Sequence, residues 1–291
     1  MQMKTLTHEY FWLTGIICSA AVFSSWSADS QTARAEVSEW VMSYYQHPDP
    51  EHFVERVQTM SKAGVLHDPR PNARPDSNVM FLGKIMAANP SKLQKWLDAL
   101  VALPADEQTV LKRAAWYSGT VEGNAWLDKH GESALAKGPR PLLLSDQQAM
   151  NLQPHHLDSL WEWFFATGEE QPIARIVSLF SLAHEQPIKD SFNLLQPPAK
   201  PQPLSASKSD EKQPLSGGVS TADAGMLYQV RMYNYQILQP AMWSCTSLAT
   251  DQDRVLEILK KMERSHYHKG IKEWLAQIIK IAEAERKKKK E

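Results

Sequence analysis

Cysteine is scarce in this chain of 291 residues, because only Cys18 and Cys245 occur. Two cysteines cannot form the multiple disulfides that hold small secreted domains together, and neither belongs to a paired CxxC zinc motif. Hydrophobic residues make up 43% of the chain, which is enough for a conventional core. The fold must therefore be stabilised by packing.

Long hydrophobic runs are also missing, with one exception near the N-terminus. Residues Phe11–Phe23 form a run of 13 nearly apolar residues, too few for a helix of about 20 residues that spans a membrane. The run follows Lys4 and precedes small residues at Ser25 and Ser27, which is the pattern of a cleavable export signal. We predict a signal peptide over residues 1–27 and a periplasmic or secreted location. A buried N-terminal helix is the alternative.

Cleavage of that signal would leave one cysteine. Loss of residues 1–27 removes Cys18, so Cys245 cannot form an internal disulfide. Ile17 precedes Cys18 where a lipoprotein signal has Gly or Ala, and we therefore do not predict lipidation. A single thiol in a helical protein is more often a small buried hydrophobic side chain than a nucleophile, and this is our expectation for Cys245.

Motifs of common enzymes and cofactor sites are absent from the sequence. There is no Walker loop, no GxGxxG and no HExxH. The string around Ser118 lacks both glycines of a nucleophile elbow and follows a predicted helix instead of a strand. His155 and His156 are adjacent, and His266 and His268 are two apart, so neither pair has the i, i+4 spacing of metal ligands on one helical face. We predict no metal and no cofactor, and we favour a function without catalysis.

Glu162 is the acidic residue that most deserves consideration as a catalytic group. It stands between Trp161 and Trp163, where enclosure in an apolar setting would raise the pKa of a carboxyl group. Paired carboxylates of this kind act as general acid and base in enzymes that cleave glycans. The other interpretation, which we favour, places Glu162 on the outer face of an amphipathic helix between two buried aromatic residues.

Helical periodicity recurs from residue 36 onward, and no sustained strand alternation competes with it. Pro50, Pro90 and Pro154 each precede apolar residues three, seven and ten positions later, which places one apolar stripe behind a helix start. Their unequal offsets exclude a regular repeat. We predict an all-α fold, an irregular array of antiparallel helical hairpins that is α-solenoid-like or an orthogonal bundle. The main predicted helices are Val79–Ala88, Ser91–Leu103, Asp106–Tyr117, Leu157–Ala166 and Ile173–Ala183.

Residues 197–223 differ in composition from the rest of the chain. They are rich in Pro, Ser, Lys and Gly, with few large apolar side chains, so we predict a flexible linker. It separates a helical domain, residues 36–196, from a C-terminal helical segment, residues 224–291. Within that segment we expect the helix Gly225–Leu238 to end before Pro240.

Charge is nearly balanced over the whole chain, at −1, but it is unevenly distributed. Residues 254–291 hold 12 Lys and Arg against 6 Asp and Glu, a local charge of +6. Cations at a helix end favour the negative end of the helix dipole, which is the simpler interpretation. The alternative is contact with an anionic surface such as lipid head groups. The basic tail consists of Arg286, Lys287, Lys288, Lys289 and Lys290.

Three stretches of sequence carry a resemblance. They are WVMSYY at 40–45, NPSKLQKWLDALVALP at 89–104 and AAWYSGT at 114–120. They resemble uncharacterised secreted helical proteins of bacteria and cover roughly the first half of the chain after the predicted signal. The resemblance implies a secreted helical protein, and it implies no activity and no functional residue.

Three functional hypotheses remain. The leading one is an exported, non-catalytic protein-binding or scaffold component of the cell envelope, with another protein as partner. The second is an enzyme of the cell-wall hydrolase type that uses carboxylates in a helical cleft. The third is a peripheral membrane protein attached through the basic tail to an anionic membrane surface. Nucleic acid is not an expected partner of an exported chain.

Overall fold

The structure is a computed structural model that describes residues 28–67, 78–140, 154–184, 221–265 and 267–291. The predicted signal peptide and residues 197–220 of the predicted linker lie outside this part of the chain. The described residues contain helices and no β-strand, so the all-α prediction is confirmed. The finer prediction of antiparallel hairpins in a solenoid-like or orthogonal arrangement stays a prediction.

Twelve α-helices and two short 3-10 helices, Pro50–His52 and Leu179–His184, occur in the described ranges. The first seven α-helices are α1 (Ala28–Ser43), α2 (Phe53–Lys62), α3 (Val79–Ala88), α4 (Pro90–Ala99), α5 (Ala105–Ser118), α6 (Val121–Lys129) and α7 (Ser133–Lys137). The remaining five are α8 (Pro154–Thr167), α9 (Gln171–Ser178), α10 (Thr221–Asp251), α11 (Asp253–Arg264) and α12 (Lys269–Lys290).

Helix α3 of the N-terminal region packs between α5 and α8 and buries most of its residues. A helix that is apolar around most of its circumference is stable only when it is surrounded. At Gly83 a Cβ atom would lie 2.8 Å from the carbonyl oxygen of Ala114, so α3 and α5 approach each other at a residue without a side chain. The buried residues of α3 are Val79, Met80, Phe81, Leu82, Gly83, Ile85 and Met86.

The C-terminal helices α10, α11 and α12 pack on one another and on the N-terminal region. Helices α10 and α12 contact the 3-10 helix Leu179–His184, and α10 also contacts α8. The indole Nε1 of Trp161 donates a hydrogen bond of 3.0 Å to the hydroxyl of Ser244, and both side chains are buried. The buried apolar residues of both regions form one cluster. The sequence left this packing open, and the structure shows a shared core.

Helix boundaries differ from the predictions where packing overrides a local signal. Helix α10 continues through Pro240, which was expected to end it. Proline removes one backbone hydrogen bond, but Leu238 and Ala241 on either side of it are fully buried in the same core, which holds both halves in one helix. Helix α10 also begins at Thr221, within the predicted linker, which ends at residue 223. The predicted helix Ile173–Ala183 divides into α9 and a 3-10 turn, whereas α3 has the predicted bounds.

Candidate functional site

Two members of the basic tail face the protein body. The Nε of Arg286 donates a hydrogen bond of 2.8 Å to the carbonyl of Ala249, which belongs to the last turn of α10. The guanidinium of Arg286 also pairs with the carboxylate of Asp253. The ammonium of Lys289 lies 2.6 Å from a carboxylate oxygen of Asp251. These contacts fasten the end of α12 to the junction of α10 and α11.

The other three lysines of the tail lie on the surface. Lys288 pairs with Glu285 one turn earlier, at 2.6 Å. Lys287 has 81% of its side chain exposed and lies 4.0 Å from a carboxylate oxygen of Glu291, at the limit of an ion pair. Lys290 is exposed. The five predicted residues thus lie together at the end of α12. Two of them contact the protein body, and three lie on the surface.

The carboxylate of Asp253 is held in its charged form by the tail. A hydrogen bond from Arg286, and then the positive charge of the same guanidinium, lower the pKa of Asp253 below its ordinary value of 3.8. The charge of Lys290 acts in the same direction. Asp253 is exposed, so solvent screens the attraction and the pair adds little stability by itself.

A charged junction connects the N-terminal and C-terminal regions beside this tail. Glu170, which precedes α9, accepts from Lys261 of α11 at 2.7 Å and from Arg254 at 3.5 Å. The hydroxyl of Tyr45 donates to the amide oxygen of Gln252 at 3.1 Å. Burial raises the pKa of Tyr45, which keeps this hydroxyl a neutral donor. The junction is therefore assembled from residues more than 80 positions apart in the chain.

Glu162 does not lie on an outer helix face, and this expectation is wrong. Only 7% of the residue is exposed. Its carboxylate accepts from the backbone N–H groups of Asn78 at 2.9 Å, Met80 at 3.2 Å and Phe81 at 3.4 Å. The first N–H groups of a helix have no partner within the helix, and a negative charge there also complements the helix dipole. Glu162 therefore caps α3 from a different helix.

Asn78 completes this cap. Its φ angle of 66° lies in the left-handed region, which Asn tolerates better than most residues because its short polar side chain can bond locally. Its side-chain amide donates to the carbonyl of Val65 at 2.8 Å. The turn into α3 is thus held on both sides, by Val65 and by Glu162.

The other side chains considered for covalent chemistry also have structural surroundings. The hydroxyl of Ser118 donates to the carbonyl of Ala115 at 2.6 Å and lies 3.1 Å from the hydroxyl of Thr120. Cys245 is fully buried, and burial strongly raises the pKa of its thiol. A thiol with a raised pKa is a poor nucleophile because the reactive species is the thiolate.

The two histidine pairs of the sequence lie only partly within the described residues. The side chain of His155, and His266 altogether, lie outside the described residues, and His156 is half-buried on α8. His268 accepts a hydrogen bond from the backbone N–H of Gly270 at 3.3 Å and so caps α12. Within the described residues, no group of three or more His, Cys, Asp or Glu side chains is arranged to hold a metal ion.

Lys84 is an unusual cation that sequence analysis did not single out. Its ammonium lies 3.5 Å from the centre of the Trp163 ring, a cation–π contact. Burial is the main cause that lowers the pKa of Lys84; the charge of Glu169 opposes the shift, and that of Arg175 adds to it. The indole of Trp163 donates to Glu169 at 2.7 Å, so the three side chains form one group. No local sequence pattern marks Lys84, because its partners lie about 80 residues later in the chain, at the end of α8.

Asp251, Asp253 and Lys280 were also missed by sequence analysis. The two aspartates lie more than 30 residues before the basic residues they contact, so no local spacing reveals them. Lys280, in contrast, stands seven residues before Lys287 and ten before Lys290. That spacing places the three on one face of a helix and could have been read from the sequence.

No helix within the described ranges is both long enough and apolar enough to cross a lipid bilayer. The described residues form an all-α structure. A charged junction connects its two regions, and the basic tail lies partly against the protein body and partly at the surface. No protein-family model, curated protein or solved structure matches this chain.

Proposed function

We propose that this chain is an exported, non-catalytic helical scaffold of the cell envelope that binds another protein. The observation that carries the proposal is the position of Glu162, the residue best suited by sequence to acid–base catalysis. Its carboxylate is enclosed and accepts three backbone N–H groups at the start of α3. A general acid or base must reach a substrate proton, and these contacts occupy the oxygens of Glu162 in holding the fold.

The surroundings of the remaining reactive groups support the same proposal. The hydroxyl of Ser118 is bonded to its own helix, and the thiol of Cys245 is buried. The carboxylates of Asp251, Asp253 and Glu170 are each paired with a cation across an interhelix contact. These polar groups connect helices and are therefore not free to act on a substrate. This supports a function carried by the outer surface of the protein and not by an internal cleft.

Apolar side chains on the surface offer contact points for a protein partner. Large apolar residues at the surface of a soluble domain contribute to association more than charged residues do, because they are released from water on contact. The exposed members of this set in the described structure are Val101, Val121, Trp243 and Ile281.

The proposal is tested by photo-crosslinking in cells. A photo-reactive residue is placed separately at Val101, Val121 and Ile281, and at the exposed charged position Lys129 as a matched control. The expected result is a discrete adduct with one protein from at least one of the apolar positions, and no adduct from Lys129. Mass spectrometry of the same sample is expected to find a mature N-terminus near Ala28 or Glu36.

Other results would contradict the proposal. An intact Met1 would exclude export through the predicted signal. The hydrolase alternative is tested with Glu162→Gln, which keeps an oxygen acceptor for the helix but no ionisable carboxyl group. The hydrolase alternative requires that the unchanged protein cleaves cell-wall material and that the folded Glu162→Gln protein does not. That pair of results would show that the chain is an enzyme with Glu162 as a catalytic group.

A further inference from the structure

Helix α12 has one buried side and one side lined with lysines. The buried side contains Gly270, Ile271, Leu275, Ile278 and Ala282. At about 100° per residue, the opposite side carries lysines at intervals of three, eight, seven and three residues, which keeps them within one face. We call this face the outer lysine face, and it consists of Lys269, Lys272, Lys280, Lys287 and Lys290.

Three acidic residues interrupt this face. Glu273 lies 4.0 Å from Lys269, Glu291 lies 4.0 Å from Lys287, and Glu283 lies 2.5 Å from Lys260 of α11. Five lysines against three carboxylates leave the face with an excess of positive charge. Lys280, Lys287 and Lys290 are exposed, and α12 has 22 residues, so the lysines are spread along about 33 Å of helix.

The basic tail contributes only part of itself to this face. Arg286 and Lys289 point towards Asp253 and Asp251, and their charges are used to hold α12 against α10. Lys287 and Lys290 are exposed and continue the line begun by Lys269. The five consecutive cations of the tail therefore have two roles. Arg286 and Lys289 hold α12 against α10, whereas Lys287 and Lys290 belong to the outer lysine face.

We propose that the outer lysine face binds the surface of an anionic phospholipid bilayer, with α12 lying along it. A straight row of ammonium groups on a rigid helix matches a flat surface that carries many phosphate charges. Each lysine near such a surface contributes enough attraction to change the affinity about fivefold. The inference goes beyond the proposed scaffold function and does not depend on it, because a scaffold without a lipid contact would still bind its protein partner.

The test measures binding of the full chain to sedimented vesicles, made either of phosphatidylcholine alone or of phosphatidylcholine with phosphatidylglycerol. Any apolar attraction of residues 11–23 is expected to be the same for both kinds of vesicle, so the difference in affinity between the two isolates the contribution of charge. The expected result is tighter binding to the anionic vesicles that weakens as salt is raised. The triple variant Lys280→Gln, Lys287→Gln, Lys290→Gln is expected to lower the anionic affinity about 100-fold.

A matched triple variant controls for net charge. Lys62, Lys95 and Lys129 are exposed lysines on α2, α4 and α6, and their replacement by Gln removes the same charge from elsewhere on the molecule. This variant is expected to change the anionic affinity less than about threefold, because only charges near the surface feel it.

A second control compares two neighbouring residues. Lys290→Gln is expected to weaken binding to anionic vesicles about fivefold, and Lys289→Gln less than about twofold, because Lys289 already pairs with Asp251. The proposal would be overturned by equal binding to both kinds of vesicle, or by equal losses in the two triple variants. It would also be overturned by tighter binding to soluble polyglutamate than to anionic vesicles, which would indicate an acidic protein partner.

Discussion

The N-terminal and C-terminal regions each complete a helix end with a charged side chain from another helix, but in opposite surroundings. Glu162 supplies a carboxylate to the start of α3 deep in the core. Arg286 supplies a guanidinium to the end of α10 near the surface, where it contacts Ala249 and Asp253. Both signs agree with the helix dipole, which favours anions at the start and cations at the end.

The difference in burial decides how much each contact is worth. Water cannot replace the carboxylate of Glu162, so its loss would leave backbone N–H groups without acceptors. Asp253 is exposed, so solvent can substitute for Arg286 there, and only the hydrogen bond to the buried Ala249 is lost without replacement. A charged side chain that caps a helix from another helix is therefore expected to stabilise the fold strongly in the buried N-terminal region and weakly at the C-terminal end of the molecule.

The largest effect is expected from Glu162→Ala. It removes the acceptor for three backbone N–H groups in a site that is closed to water, and it leaves a cavity. The free energy of unfolding is expected to fall by about 3 kcal/mol or more, measured by urea denaturation. Glu162→Gln is the control: it keeps one oxygen acceptor, and its loss should be clearly smaller. A Glu162→Ala protein as stable as the unchanged chain would show that the cap does not hold α3.

An intermediate effect is expected from Ser244→Ala at the contact between the two regions. The change leaves the buried indole N–H of Trp161 without its acceptor, at a cost of about 1 to 2 kcal/mol in the free energy of unfolding. Ser265→Ala is the matched control, because that hydroxyl donates to the carbonyl of Met262, three residues earlier, and not to the other region. It is expected to change stability by about 0.5 kcal/mol or less. Equal effects of the two changes would contradict a specific bond across the contact.

The smallest effect is expected from Arg286→Gln. The lost hydrogen bond to the carbonyl of Ala249 lowers the free energy of unfolding by about 1 kcal/mol, and the exposed partner Asp253 adds little. The measurement is urea denaturation at neutral pH. A loss as large as that of Glu162→Ala would remove the distinction between the two regions.

Acid should reduce this smallest effect further. Arg286 lowers the pKa of Asp253 in the folded chain below the ordinary 3.8, so the folded protein binds fewer protons there than the unfolded chain. The pairing of Arg286 with Asp253 contributes its full stability above the ordinary pKa of Asp253. That contribution is lost as the pH falls through the lower pKa that Asp253 has in the folded chain. The stability difference between Arg286→Gln and the unchanged chain is therefore expected to narrow below about pH 4. A difference that widened in acid would contradict the assigned direction.

Local sequence signals predicted the helices well because their causes are local. Helix α3 has its predicted bounds, since an apolar run ends at Asn89 and Pro90 starts the next helix. The path through Pro240 was mispredicted, because burial on both sides of the proline outweighs the missing backbone hydrogen bond.

The polar contacts could not be predicted, because each joins residues that are distant in sequence. Glu162 binds the start of a helix 81 to 84 positions earlier, and no spacing rule identifies such a partner. The division of the basic tail depends on Asp251 and Asp253, whose proximity to α12 follows from how three helices fold back on one another. Only the outer lysine face follows helical periodicity.

The claim that the two regions share one core is tested most directly by the reactivity of Cys245. In a Cys18→Ser chain this buried thiol reports opening of α10, while six of the eight tryptophans beyond residue 27 report on the N-terminal region through their fluorescence. Thiol labelling and fluorescence are expected to change over the same range of urea concentration, as for one cooperative unit. Labelling of Cys245 at clearly lower urea, with the fluorescence unchanged, would show that the C-terminal helices open separately and would contradict the shared core.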